Sequence, residues 1–291
     1  MTSDFIKQAD QPLFPEIFWN RPTMRSRGGR LLVVGGHRNE FSLVQAVYGI
    51  AQAADIGECQ AVVPDSLRRA IGAGGGEPGF VRFAPASASG SLGKAALSEI
   101  LDLAADFDAC LIGANLTNNS ETAVMIESLV KQLEQPIIIT EETIGILQFS
   151  PDLITGNPNA LVVTTMAGLM ALAGHHRLPI AIKPHSGVVG KIEILAQLVA
   201  ISRCAYVIFD HEVLVAAGGE ISLTPLAHGL SNWPALATGV SATFFVQHRT
   251  KPFAALTTAA FVLAQVAAAT EPVSYSALAK QVTQTLQHYD Q

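Results

Sequence analysis

Short, uninterrupted apolar runs alternate with stretches of helical spacing along most of this chain. Residues 30–34 (Arg-Leu-Leu-Val-Val) read as a buried strand and Gly35-Gly36 as a turn. Residues 41–54 carry helical spacing and 59–63 a second strand, which makes a βαβ unit, the element of a parallel sheet. The alternation continues with helix 92–105, strand 109–112, helix 120–133, and strands 137–139 and 161–163. Helix 191–201 and strand 206–209 follow. Strands 213–216 and 221–223 then form a hairpin around Gly218-Gly219. Three helices close the chain, at about 238–248, 252–269 and 274–288. Strands apolar on both faces, alternating with helices, predict a mostly parallel sheet covered on both sides. Pro12, Pro15, Pro22 and Gly28-Gly29 break residues 1–28, which read as an irregular lead-in to one domain over 29–291. The five-glycine stretch from Gly72 to Gly79 reads as a loop inside that domain, and no internal repeat is visible.

Composition narrows the class. Hydrophobic residues make up 49% of the 291 and charged residues 14%. That charge fraction is well below the usual quarter. It fits either an alanine-rich helical protein or a homo-oligomer with part of its surface covered. A net charge of −6 with no run of Lys or Arg argues against nucleic acid and anionic membrane as partners. The apolar run 253–269 is shorter than the ~20 residues of a membrane span and reads as a buried helix. Cys59, Cys110 and Cys204 are scattered through apolar contexts, as buried thiols of a reducing cytoplasm are. The N-terminal decapeptide lacks a secretion-signal pattern, so a cytoplasmic location is expected.

Candidate chemistry lies at the predicted carboxyl ends of strands, where α/β folds bind ligands. Gly35-Gly36-His37, with Asp65 after the second strand, suggests a dinucleotide fingerprint, but the later glycines are missing and a tight βα turn explains the pair. Gly113-Ala114-Asn115-Leu116 ends a strand, and Asn115, Asn118 and Asn119 can hydrogen-bond a ligand. Asn119 or Ser120 can equally cap the next helix. Glu141-Glu142 is the paired carboxylate at this edge, a placement that helix dipoles alone also favour. His175-His176 and His185 lack the acidic partners of a metal site, so no metal ligands are expected. Ala235 to Ser241 reads as a small-residue turn entering a helix, with Thr238 and Gly239 at its corner. Free N–H groups at such a corner hold phosphate.

Taken in order, these segments resemble the ADP- or ATP-dependent NAD(P)H-hydrate dehydratases of the ribokinase-like superfamily, over residues 25–290. Arg27 to Gly36 looks like that family's glycine-led first strand, Asp55-Ile56-Gly57 its small-residue turn, and Pro64 a family proline. Gly113 and Leu116 fall on the ends of Gly-Pro-Gly-Leu. Thr140 stands where the family has aspartate. Thr164 to Leu169 falls on Thr-Pro-His-x-Gly-Glu, keeping Thr164 and Gly168. Lys183 to Gly187 is the alternative placement, keeping Pro184, His185 and Gly187. Asp210-His211 replaces a Lys-Gly pair, and Gly229 matches the glycine before the nucleotide loop. Ala237-Thr238-Gly239-Val240 lies on Gly-Thr-Gly-Asp, whose aspartate is the family's base.

The resemblance implies a ribokinase-like three-layer α/β/α sandwich, with ADP or ATP and Mg²⁺ as cofactors and NAD(P)H-hydrate as substrate. It places Gly113, Asn115, Gly229, Thr238 and Gly239 around the nucleotide, with no catalytic residue left. Loss of a general base costs about 10²–10⁴ in rate, and valine cannot replace it. The expected function is therefore a dehydratase relative with lost or much reduced catalysis. The alternative is a non-catalytic homologue that binds a nucleotide or a protein partner. A small-molecule kinase of the same superfamily suffers equally from the missing aspartate.

Overall fold

The computed structural model describes residues 4–72, 78–179, 187–269 and 273–289. Its strands are β1 (Ile6–Lys7), β2 (Arg30–Val34), β3 (Glu58–Pro64), β4 (Val81–Ala84) and β5 (Ala109–Ile112). They continue with β6 (Ile137–Ile139), β7 (Ala160–Thr164), β8 (Ala205–Phe209), β9 (Glu212–Ala217) and β10 (Glu220–Pro225). All join one sheet in the order β1-β10-β9-β8-β7-β6-β5-β2-β3-β4. From β4 to β8 every pairing is parallel, and the β9–β10 hairpin is antiparallel.

Along β2 the side chains divide by period two. Leu31 and Val33 enter the core on one face, and Leu32 and Val34 the core on the other. The first core lies under helices Ser42–Ala53, Pro234–Gln247, Pro252–Ala269 and Tyr275–Tyr289. The second lies under Ala96–Ala104, Ser120–Gln132, Met166–His175 and Val188–Ile201. Helix Pro252–Ala269 is long and apolar enough to cross a membrane, yet 67% of it is buried inside the protein. Cys59, Cys110 and Cys204 are free and buried, and burial pushes their thiols up to about 12, about 12 and about 11.

Three expectations change. The lead-in is not irregular throughout: β1 pairs in parallel with β10. Gln8 is fully buried, its amide donating to Thr224 Oγ1 (2.9 Å) and the Thr257 carbonyl (2.8 Å). Phe18 stacks on Tyr289 with ring centroids 4.8 Å apart. A two-residue strand and a one-turn helix leave no period to read. Edge strand β4 was likewise too short, following a glycine-rich stretch whose residues 73–77 lie outside those described.

The third change matters most. The helix expected from 238 starts at Pro234, and residues 235–246 are all buried within it. Proline at the first helical position is preorganised for a helix start. The small residues after it are there for close packing: a Cβ on Gly239 would stand 2.6 Å from Ile50 Cγ2.

Candidate functional site

The carboxyl ends of β2, β5, β6, β7 and β8 meet at one edge, and their loops brace one another through the backbone. Gly36 N–H donates to the Ala114 carbonyl at 2.8 Å. After β5 the chain turns through Gly113 (φ 137°), Ala114 (φ 70°) and Asn115 (φ 64°), the last two in the left-handed region unusual for non-glycine residues. Such residues persist only where the surroundings over-determine them. Here the restraint is Glu142. Its Oε1 accepts from Asn115 N–H and its Oε2 from Leu116 N–H, both at 3.1 Å. Successive N–H groups in such a turn form an anion-binding nest, and this nest is filled by the chain's own carboxylate. Burial pushes the Glu142 carboxyl above its ordinary range; the N–H bonds oppose that shift, and the Glu40 charge adds to it.

A Cβ on Gly113 would overlap the Thr140 hydroxyl, and its φ of 137° suits glycine alone. Gly113→Ala is therefore expected to cost about 2 kcal/mol in urea unfolding. A cost near zero would show that the loop relaxes freely.

Glu141, beside it, faces the other way. Its Oε2 accepts from Thr164 Oγ1 (3.3 Å), Thr165 N–H (3.3 Å) and the Thr165 hydroxyl. After β8, Asp210 accepts from Ser231 Oγ (2.7 Å) and from Lys191 Nζ (3.0 Å), which also reaches Glu212 (2.6 Å). Burial alone would raise the Asp210 carboxyl. The Ser231 and Lys191 hydrogen bonds outweigh it and hold Asp210 below its usual range.

Between these loops and helix Pro234–Gln247 lies a cavity of about 460 Å³. Leu43, Val47, Val163 and Phe209 give it apolar walls; Thr140, Thr164, Thr165, Ser231 and Thr238 bring hydroxyls, and Glu141 and Glu142 carboxylates. A larger cavity, about 750 Å³, lies by Arg21, Asp55 and Ile56 before β3, at the amino ends of the strands. The smaller one is the candidate, because parallel sheets bind ligands at the carboxyl edge.

Of the residues singled out from the sequence, Thr238 lines this cavity. Gly113 and Asn115 flank the lining residue Ala114 but are not themselves among the lining residues, and Asn115 Oδ1 accepts from Leu43 N–H at 2.8 Å, serving the start of helix Ser42–Ala53. Asn119 caps its helix through Thr122 N–H (3.0 Å). Gly229 packs 3.1 Å, measured from an added Cβ, from His211 Nδ1. Gly239 packs on Ile50 and is not among the lining residues.

The corner expected at Thr238-Gly239 is not a helix N-terminus, so its N–H groups are not free for phosphate. The real first turn is Trp233-Pro234-Ala235. Proline brings no N–H, Leu236 and Ala237 donate to the Trp233 carbonyl (3.0 and 3.4 Å), and Ala235 N–H interacts with the Tyr275 hydroxyl. Tyr275 comes from the last helix and nothing in its sequence context marks it. His176 Nε2 lies 3.1 Å from Thr155 Oγ1, away from the cavity-lining set. His185 and most of the alternative motif 183–187 lie outside the described residues. Among the described residues no three His, Cys, Asp or Glu side chains gather as a metal site.

No family model matches this chain. It is 25% identical over 143 residues to a bifunctional NAD(P)H-hydrate repair enzyme of Moorella thermoacetica. That match spans 49% of this chain and only 27% of the enzyme's length. A ribokinase-like superfamily protein from Enterococcus faecalis superposes with a TM-score of 0.71 at 14% identity, covering 98% of this chain and 96% of that one. The ADP/ATP-dependent NAD(P)H-hydrate dehydratase of Bacillus subtilis, co-crystallized with ATP and Mg²⁺, gives 0.66 at 13% identity, covering 97% and 100%. The fold is thus ribokinase-like, and about half of the chain is similar in sequence to part of an NAD(P)H-hydrate repair enzyme.

Proposed function

We propose that this chain is a small-molecule-binding relative of the dehydratases that has lost their chemistry. The observation that carries the reading is that, among the described residues, two places at this edge where backbone N–H groups gather for an anion are engaged from within. Glu142 fills the nest after β5, and in the first turn of helix Pro234–Gln247 the Leu236 and Ala237 N–H groups donate to the Trp233 carbonyl. A nucleotide phosphate needs such groups unpaired, so these two turns do not favour ADP or ATP with Mg²⁺. No carboxylate stands on Ser231, Asn232, Trp233, Pro234 or Ala235 to act as a base. The two carboxylates of the cavity are held by backbone and threonine donors.

The test is to incubate the purified chain with hydrated NADH and either ADP or ATP with Mg²⁺, following NADH absorbance. Recovery no faster than the protein-free control is expected. Protein-dependent turnover would establish an active dehydratase and end this reading.

A further inference from the structure

Among the described residues two acids, Glu141 and Glu142, line the cavity, and no Lys, Arg or His does. Lys191 is already balanced by Asp210 and Glu212. Glu142 uses both oxygens on backbone N–H groups, but Glu141 uses only Oε2. Its Oε1 has no hydrogen-bond partner among the described residues, and the residue is exposed. The second observation is independent of charge. Thr238 is 3% exposed, lines the cavity, and its hydroxyl has no partner among the described residues. On the same helix Thr243, and on the next helix Thr258, each bond the carbonyl four residues back, at 2.9 Å. The Thr238 hydroxyl is instead left for an occupant of the cavity it lines.

We infer that the cavity takes a small organic ammonium ion with an apolar ring or chain. Its charged nitrogen donates to Glu141 Oε1, its body packs on Leu43, Val47 and Phe209, and Thr238 supplies a hydroxyl. A phosphate in the same place meets two carboxylates and, among the described residues, no cation. The volume suits an occupant of this size. This assignment rests on the reading of the cavity as a ligand site without phosphoryl transfer.

Calorimetric titration of the full chain with tryptamine, its neutral isostere tryptophol, the acid indole-3-acetate, and ATP with Mg²⁺ tests it. Tryptamine is expected to bind at least about tenfold more tightly than the other three. Glu141→Gln should erase that preference and Thr238→Val weaken tryptamine several-fold, with circular dichroism and melting checking that each variant folds. Equal binding of tryptophol or indole-3-acetate overturns the ammonium assignment while leaving the ligand site. Binding of ATP without tryptamine overturns it in favour of phosphate, and silence of all four compounds overturns it too. NADH recovery in the hydrate assay would instead remove the non-catalytic reading, whatever the amine series gives.

Discussion

Replacing Val240 with aspartate is expected to destabilise the fold by about 3–5 kcal/mol and to restore no activity. Alignment with a family acid made this the substitution to revive the site. Its surroundings say otherwise: Val240 is fully buried, in the second turn of a helix whose residues 235–246 are all buried. Aspartate there is an unpaired charge in an apolar core, among the largest mutational penalties known. Denaturant unfolding should register the loss. Asn232→Asp is the control, because residue 232 is exposed just before the helix start. An acid there is favoured by the helix dipole and should shift stability by no more than about 0.5 kcal/mol. A stable Val240→Asp protein that recovers NADH from its hydrate would sink both the placement and the reading built on it.

The contrast between these two positions marks where sequence patterns stop informing. Strands β2, β5 and β6 match their expected bounds because each is a short, buried apolar run, after Arg30 in β2, that stops at a polar or glycine residue. The hairpin was legible because Gly218-Gly219 supplies the positive φ angles its turn requires (61° and 88°). Helix Pro234–Gln247 was misplaced at its start because small residues serve two ends alike. They free a backbone for an anion, or they let two helices approach closely. Only the neighbour decides, and here it is Ile50, far away in sequence. The candidate site was half legible. Glu141-Glu142 stood out as a carboxylate pair at a strand end, while the donors each would meet come from the loops after β5 and β7. Tyr275 was invisible, since its partner at Ala235 lies on a different helix.

Glu142→Ala should be the second most damaging change at this edge, costing about 3 kcal/mol. Among the described residues the side chain makes no ion pair; its work is to accept from Asn115 and Leu116 N–H, and removal leaves these donors without that partner. Each buried unsatisfied group costs about 1–3 kcal/mol, and the left-handed Ala114 and Asn115 lose the restraint that holds them. The pH dependence separates this from a simple cavity. Burial raises the Glu142 carboxyl in the folded chain, so the folded state holds its proton more tightly than the unfolded one. The corresponding stability is present below the unfolded value, about pH 4.3, and is lost as pH rises through the folded one. Unfolding curves for the parent should therefore decline across that window relative to Glu142→Ala, bringing the two closer at higher pH. Identical pH profiles for both proteins would mean that the raised carboxyl is not Glu142. A loss under about 1 kcal/mol would mean that the loop after β5 holds its left-handed turn without it.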